Sequence, residues 1–245
     1  MSLATATTPT DRRSLLEVDP DLAPLLGPER QHAAGQSLRV GIRRLSCGPL
    51  SLQRLAAASA GHIGLLVVDG VIVREVLVAD TSSAELLGAG DLIRPWSLGA
   101  GGTPSERDAR WSVLSATAQV ALLDRRLALE LAAFPEIAVA LMDRLNERAS
   151  RLATAKAIAQ LTRVDRRLNA LLWQLAERWG RVTADGVLVP LQLSHRMLGQ
   201  LVGARRPTVS TALAELARSG AVVRRADGSW LLRHDPAGAE RTLAA

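Results

Sequence analysis

Apolar residues fall in two rhythms along this 245-residue chain, and the change between them sets its organisation. From about Ser37 to Leu123 they come in short β-rich runs broken by glycine. The clearest is "IGLLVVDGVIVREVLV" at 63–78, where two such runs flank Asp69-Gly70, a dipeptide that accepts the positive φ of a two-residue hairpin turn. "SAELLGAGDLIRPW" (83–96) and "ARWSVLSATAQVALL" (109–123) continue with glycine punctuation and partial alternation, which predicts an antiparallel roll or sandwich.

After Asp124 the period lengthens. Asp124 suits the N-cap of "RRLALELAAF", and Pro135 suits the first turn of a further helix. Ile137, Leu141, Leu145, Ala149, Leu152, Ala155 and Ala159 then recur every three or four residues, with neither proline nor glycine up to Leu161. One long amphipathic helix follows from that spacing. Leu145, Leu152 and Ala159 are seven apart with Leu141 and Ala155 between them, so these five are expected to seat a second copy of the helix. Arg148 falls within that seam and weakens the heptad reading; an ordinary helix packed between domains is the alternative.

From Thr162 the helical period resumes. Val164, Leu168, Leu171, Leu172, Leu175 and Trp179 mark one helix face, with Trp173 and Trp179 expected in a core, and "ADGVLVPLQL" (184–193) reads as a turn and a short strand. The next stretch, "GQLVGARRPTVSTALAEL" (199–216), looks helical yet breaks in its middle. Ser194 can cap a helix bearing Leu198, Leu201 and Val202, and Gly203 is where it would end, because only glycine enters the left-handed region cheaply. A second helix then starts near Arg205 or Arg206, with Pro207 in its first turn, where a missing N–H costs nothing. Gly199 lets the two helices cross closely, and Leu198, Val202, Ala204, Val209 and Ala212 fill the interior: a helix-turn-helix.

The exposed start of that second helix carries Arg205, Arg206, Thr208, Ser210 and Thr211. Arginine reads guanine and hydroxyls reach bases or phosphates from such a position in a major groove, and Ser194 and Arg196, which begin the preceding helix, are expected to bind DNA beside them. "GAVVRRADGSWLL" (220–232) reads as a hairpin around Asp227-Gly228, a wing whose Arg224 and Arg225 can touch the phosphate backbone.

Charge sharpens this picture. The chain has 30 basic and 24 acidic residues, and residues 1–159 are balanced at 17 of each, so 160–245, with 13 against 7, carry the whole +6. A single cysteine, Cys47, allows neither a disulfide framework nor a cysteine-held cluster, and no metal-ligand spacing joins His32, His62, His195 and His234. No apolar run reaches membrane-spanning length and the N-terminus shows no export signal, so no membrane and a cytoplasmic location are expected. No metal, cofactor or catalytic constellation is expected either: paired carboxylates and a His-Ser arrangement are missing, which sets aside an enzyme acting on a small phosphorylated ligand. "GAGDLI" and "LGAGGT" lack three correctly spaced glycines and read as roll turns rather than dinucleotide loops.

In this order of parts, with "LSHRMLGQLVGARRPTVSTALAELARSGAVV" as its most specific segment and "GLLVVDGVIVREV…ELLGAGDLI" as its β-roll, the chain resembles the Crp/Fnr superfamily of transcription regulators. The resemblance implies an α+β fold: a cyclic-nucleotide-binding-like antiparallel β-roll over 20–134, a dimerisation helix over 135–161 and a winged helix-turn-helix over 162–235. It implies double-stranded DNA and a second copy of the chain as partners, with RNA polymerase and an unidentified small-molecule effector as further ones. By position, Arg206 becomes the main base-reading arginine, flanked by Arg205 and Thr208. Pro207 and Thr211 stand where many relatives have a glutamate and an arginine, so the DNA sequence preference does not carry over.

Relatives that bind cyclic nucleotides use a Gly-Glu pair for the ribose and an Arg followed by Ser or Thr for the cyclic phosphate. "SLGAGGTPSERDARWSV" (97–113) has no Gly-Glu and sets Asp108 after Arg107, a carboxylate where a hydroxyl should donate. Cyclic AMP is therefore not expected in the usual mode; Arg107, Trp96 and Trp111 remain the residues that could line an effector site. A small-ligand signalling module without sequence-specific DNA binding is the alternative reading of the whole.

Overall fold

A computed structural model describes residues 11–51, 62–95 and 109–233. The chain divides into two compact units, Met1–Ser150 and Arg151–Ala245.

In the first unit a seven-stranded antiparallel sheet turns on its longest strand. β1 (Arg12–Ser14) pairs with β2 (Arg39–Leu50), and β2 with β7 (Ala109–Leu123). The two halves of β7 then serve different neighbours: residues 119–123 pair with β3 (Gly64–Asp69), and 109–113 with β4 (Ile72–Val78). β6 (Leu92–Ile93) completes the β3 side, and β5 (Thr81–Leu87) the β4 side. Strand alternation sorts the side chains into two cores. Leu66, Ala121 and Leu123 face one cluster, which Leu15, Leu38, Leu127, Phe134, Ile137 and Leu141 cover; Leu65, Val67 and Val120 face the other, with Leu45, Ile72, Leu87 and Val113.

The roll expected from the sequence is present, with two differences. β3 and β4 do not pair with each other, so Asp69-Gly70 is a corner, not a hairpin. Gly70 has φ 84°, and a Cβ there would lie 2.5 Å from the Thr117 carbonyl oxygen: the chain passes hard against β7 while crossing from one half of it to the other. The tight two-residue turn comes later, between Val78 and Thr81, with Ala79 at φ 53°. Residues before 20 also belong to this unit's core: Ser14 and Glu17 form a capping box on α1 (Leu15–Val18), and Leu15 is fully buried. A 3₁₀ turn (Pro20–Leu25) and α2 (Pro28–Ser37) lead back to β2.

Asp124 caps α3 (Arg125–Glu130), accepting from the Leu127 N–H at 2.9 Å. α4 (Pro135–Ala159) follows as a 25-residue helix. Its first turns are half of a core: Ile137 and Leu141 pack into the roll, Leu141 being 3% exposed. Leu141 therefore leaves the expected seam, already covered by its own unit. Arg148 leaves it too. It turns to the roll, donating from Nε and Nη2 to the two carboxylate oxygens of Glu85 at 2.6 and 2.8 Å, while Arg144 pairs with Asp19 at 2.6 Å. Burial opposes the charge on Arg148, but bonding to Glu85 outweighs it and holds the guanidinium above its ordinary pKa.

The large apolar residues that α4 exposes are Val139, Met142 (68%), Leu145 (46%) and Leu152 (44%). With exposed Ala149 they step 142, 145, 149, 152, a spacing of three, four, three. Ala155 and Ala159 are half-buried within the second unit's part of the helix.

In the second unit, α5 (Val164–Trp179) buries Leu168, Leu171, Leu172 and Leu175. The expected single strand is a hairpin, β8 (Arg181–Thr183) with β9 (Gly186–Val189). It joins β11 (Trp230–Leu232) and β10 (Val222–Arg224) in an antiparallel sheet of order β10-β11-β9-β8. α6 (His195–Val202) and α7 (Arg206–Arg218) lie between the two hairpins in sequence. No helix of the described residues is long and apolar enough to cross a membrane.

Candidate nucleic-acid interface

The interrupted stretch is a corner, built as its residues dictate. Ser194 Oγ accepts from the Met197 N–H at 3.1 Å and caps α6; Gly203 ends it at φ 65°, its N–H bonded to the Gly199 carbonyl. The Ala204 N–H reaches the same carbonyl at 2.9 Å. A Cβ on Gly199 would press into the Ala204 carbonyl oxygen, so the turn closes this tightly only because that position has no side chain. Arg167 of α5 donates to the Val202 and Gly203 carbonyls at 3.3 and 3.4 Å, satisfying acceptors the helix end leaves open. Val209, Ala212, Leu213 and Leu216 bury the inner face of α7 against this frame.

What the first turns of α7 leave outside is basic and polar. Arg205 stands at its N-cap and Arg206 and Pro207 open its first turn; Arg205, Arg206, Thr208 and Thr211 are all exposed. Ser194 and Arg196 are exposed at the start of α6, and Arg224 and Arg225 on the wing. The wing turn is stiff: Asp227 Oδ1 accepts from the Ser229 N–H at 2.9 Å and from Ser229 Oγ at 2.6 Å, and these bonds hold the Asp227 carboxyl below the usual range. Arg224 lies with its guanidinium 5.4 Å from the ring of Trp230, its cross-strand partner, which fixes where its charge sits. Gln192 Nε2 donates to the Asp227 carbonyl at 3.0 Å, tying the lead-in to α6 to the wing.

Ser210 differs from its expected place among the outward groups. It is half-buried; its hydroxyl bonds to the Arg206 carbonyl at 3.1 Å and meets His195 Nδ1 at 2.8 Å. His195 was not singled out from the sequence for this surface, and the only signal there was its position directly after the Ser194 cap in a basic segment. Burial first, then the charges of Arg224 and Arg206, push its pKa below the ordinary 6.5. Those two arginines, from α7 and the wing, thus share one surface with the start of α6.

Residues 166–238 match the Crp-like helix-turn-helix domain family. The chain has the Crp/Fnr fold. Among solved structures, a cyclic nucleotide-binding domain containing protein from Listeria monocytogenes EGD-e aligns with a TM-score of 0.64 at 12% identity over 89% of this chain and 98% of that one. CooA from Carboxydothermus hydrogenoformans gives 0.59 at 18% over 83% and 87%. The c-di-GMP responsive global regulator CLP of Xanthomonas campestris gives 0.57 at 17% over 80% and 95%. No curated protein matches the chain by sequence. The expected α+β architecture of roll, long helix and winged helix-turn-helix therefore stands.

The effector residues fare differently. Trp96 and Arg107 lie outside the described residues. Trp111 is half-buried against the roll's second core, with the Arg74 guanidinium 5.9 Å from its ring, and Arg74 in turn lies 3.8 Å from Glu85. That indole packs its inner side on the core and meets a guanidinium. Among the described residues no group of three His, Cys, Asp or Glu side chains could hold a metal ion.

Proposed function

We propose that the protein is a transcription regulator of the Crp/Fnr type, acting in the cytoplasm as a homodimer that binds an inverted-repeat site on double-stranded DNA. The observation that carries this reading is the exposed Arg205-Arg206 pair at the first turn of α7, behind a glycine-capped corner, inside a Crp-like domain. The start of a recognition helix is the part that reaches base edges in the major groove. Arg206 reads a base, with Arg205, Thr208 and Thr211 beside it; Ser194, Arg196, Arg224 and Arg225 hold phosphates. Ser210 positions the helix start from beneath.

The exposed stripe Met142-Leu145-Ala149-Leu152 on α4 supports the dimer, since a second helix is the partner such spacing fits. A two-fold then sets the recognition helices about 34 Å apart, one turn of duplex, and makes the site an inverted repeat. The roll serves an effector other than cyclic AMP in the usual mode, or acts only as scaffold.

Selection of bound duplexes from a random-sequence pool tests the reading: enrichment of a palindrome is expected. Arg206→Ala should then weaken binding to the enriched site by about 1–3 kcal/mol, mostly at one base position. An Arg206→Ala variant that binds as the parent does would refute the base-reading role, and a pool that enriches nothing would refute sequence-specific binding.

A further inference from the structure

The first residue of α6, His195, is held by the recognition helix. Its Nδ1 lies 2.8 Å from Ser210 Oγ, and the same oxygen lies 3.1 Å from the Arg206 carbonyl. A hydroxyl has one hydrogen and a carbonyl has none to give, so both contacts are satisfied only if Ser210 donates to Arg206 and accepts from His195. The hydrogen of the neutral ring is then on Nδ1, and Nε2 keeps its lone pair. Protonating Nε2 leaves the Ser210 bond as it was, so the ring can change charge with no rearrangement of the corner.

The charged groups acting on the ring from neighbouring elements are Arg206 of α7 and Arg224 of β10, with Arg196 following it on its own helix; no carboxylate among the described residues offsets them. These are the cations assigned above to DNA. In the free protein partial burial first, and then the fields of Arg224 and Arg206, disfavour the charged ring. A duplex reverses that: phosphates neutralise the guanidiniums and add negative potential of their own, so the proton becomes easier to hold.

We propose that His195 is a proton-taking member of the DNA-binding surface: each protomer binds one proton at this ring as duplex phosphates settle on Arg206 and Arg224, so affinity for DNA rises as pH falls. The inference rests on the DNA-binding reading and adds to it a residue and a proton. By linkage, the pH dependence of the binding constant counts protons taken up, with a limit of about tenfold per pH unit for each protomer.

The test uses the full chain and a random-sequence duplex of about 30 base pairs, long enough for two half-sites one helical turn apart. Affinity is measured between about pH 5.5 and 7.5, the window around the ordinary imidazole value. Histidine ring signals are followed by NMR with and without the duplex, His195→Asn providing the assignment. The expected result is tighter binding at lower pH, an upward move of the His195 midpoint on adding duplex, and a slope reduced in His195→Asn, whose amide can still donate to Ser210. Arg224→Ala should raise the midpoint in the free protein. Equal slopes in the parent and His195→Asn, or a midpoint that the duplex leaves in place, would overturn the inference while DNA binding stands. No duplex binding at any pH would sink both.

Discussion

Arg148 of the long helix and Glu85 of the roll meet through two parallel bonds, of 2.6 and 2.8 Å, with both side chains largely withdrawn from water. This pair ties the first half of α4 to the sheet, and Arg144 on Asp19 ties it to the end of α1, so charge adds to the packing of Leu141. Removing one partner leaves the other with weaker company: Glu85 keeps Arg74 at 3.8 Å, and Arg148 keeps the field of Asp91. Glu85→Ala or Arg148→Ala should cost about 2 kcal/mol, below the cost of breaking a fully buried pair because some water contact remains. Glu85→Leu with Arg148→Met should recover most of that loss. Urea unfolding of the two single variants and the double variant measures it; a double variant no more stable than either single would mean that the unpaired charge is not what destabilises them.

Leu141 and Leu145 are one turn apart on α4, one buried and one exposed. On the dimer proposed above, Leu145→Asp should leave the fold intact and shift the protein toward monomer in sedimentation. Leu141→Ala should leave assembly unchanged and lower stability by about 3 kcal/mol, the cost of an emptied core position. A Leu145→Asp variant that stays dimeric would place the interface elsewhere.

Two glycines shape the corner for different reasons. Gly203 has open space around it and needs only its left-handed φ, so Gly203→Ala should cost about 1 kcal/mol. Gly199 faces the Ala204 carbonyl, and Gly199→Ala forces the two helices apart, which should cost about 2–3 kcal/mol and weaken DNA binding as well. Thermal melts alongside gel shifts distinguish the two. Equal losses at both sites would argue against the close crossing.

Asp165, at the start of α5, accepts from Arg163 at 3.0 and 2.9 Å; that bonding holds its carboxyl below the ordinary 3.8, against a smaller opposing effect of burial. A folded value below the unfolded one means that the pair stabilises fully above the unfolded pKa, and that its contribution disappears as pH falls through the folded one. Asp165→Asn should therefore lower the melting temperature near neutral pH, and the difference should close on acidification below the carboxylate range. Calorimetry across that range checks the sign; a gap that widens on acidification would reverse it.

Much of the helix-turn-helix was readable because its signals are local. Ser194, Gly203 and Pro207 each answer to the backbone of their own turn, and Leu198, Val202, Val209 and Ala212 lie at helical spacing within one short segment. The same holds for Asp124, Pro135 and the length of α4. The roll was less legible. Asp69-Gly70 states that the chain turns, but a turn residue cannot state which strand comes next to it, and β7 was long enough to take β3 and β4 one after the other.

Surface chemistry divides along the same line. The distribution of charge along the chain placed the excess of arginine in its last third, and the Gly203 stop with Pro207 behind it put Arg205 and Arg206 at a helix start. Tertiary packing decided which helix positions face outward: Leu141 and Arg148 face the roll, while Met142 and Ala149 complete the exposed stripe. It also set His195 against Ser210, fifteen residues away, under the fields of Arg206 and Arg224. Periodicity reports that a helix has an apolar side, and caps report where it begins and ends. Which neighbour covers that side, and which charges meet across a turn, depend on contacts between segments far apart in the chain, and no local pattern encodes those.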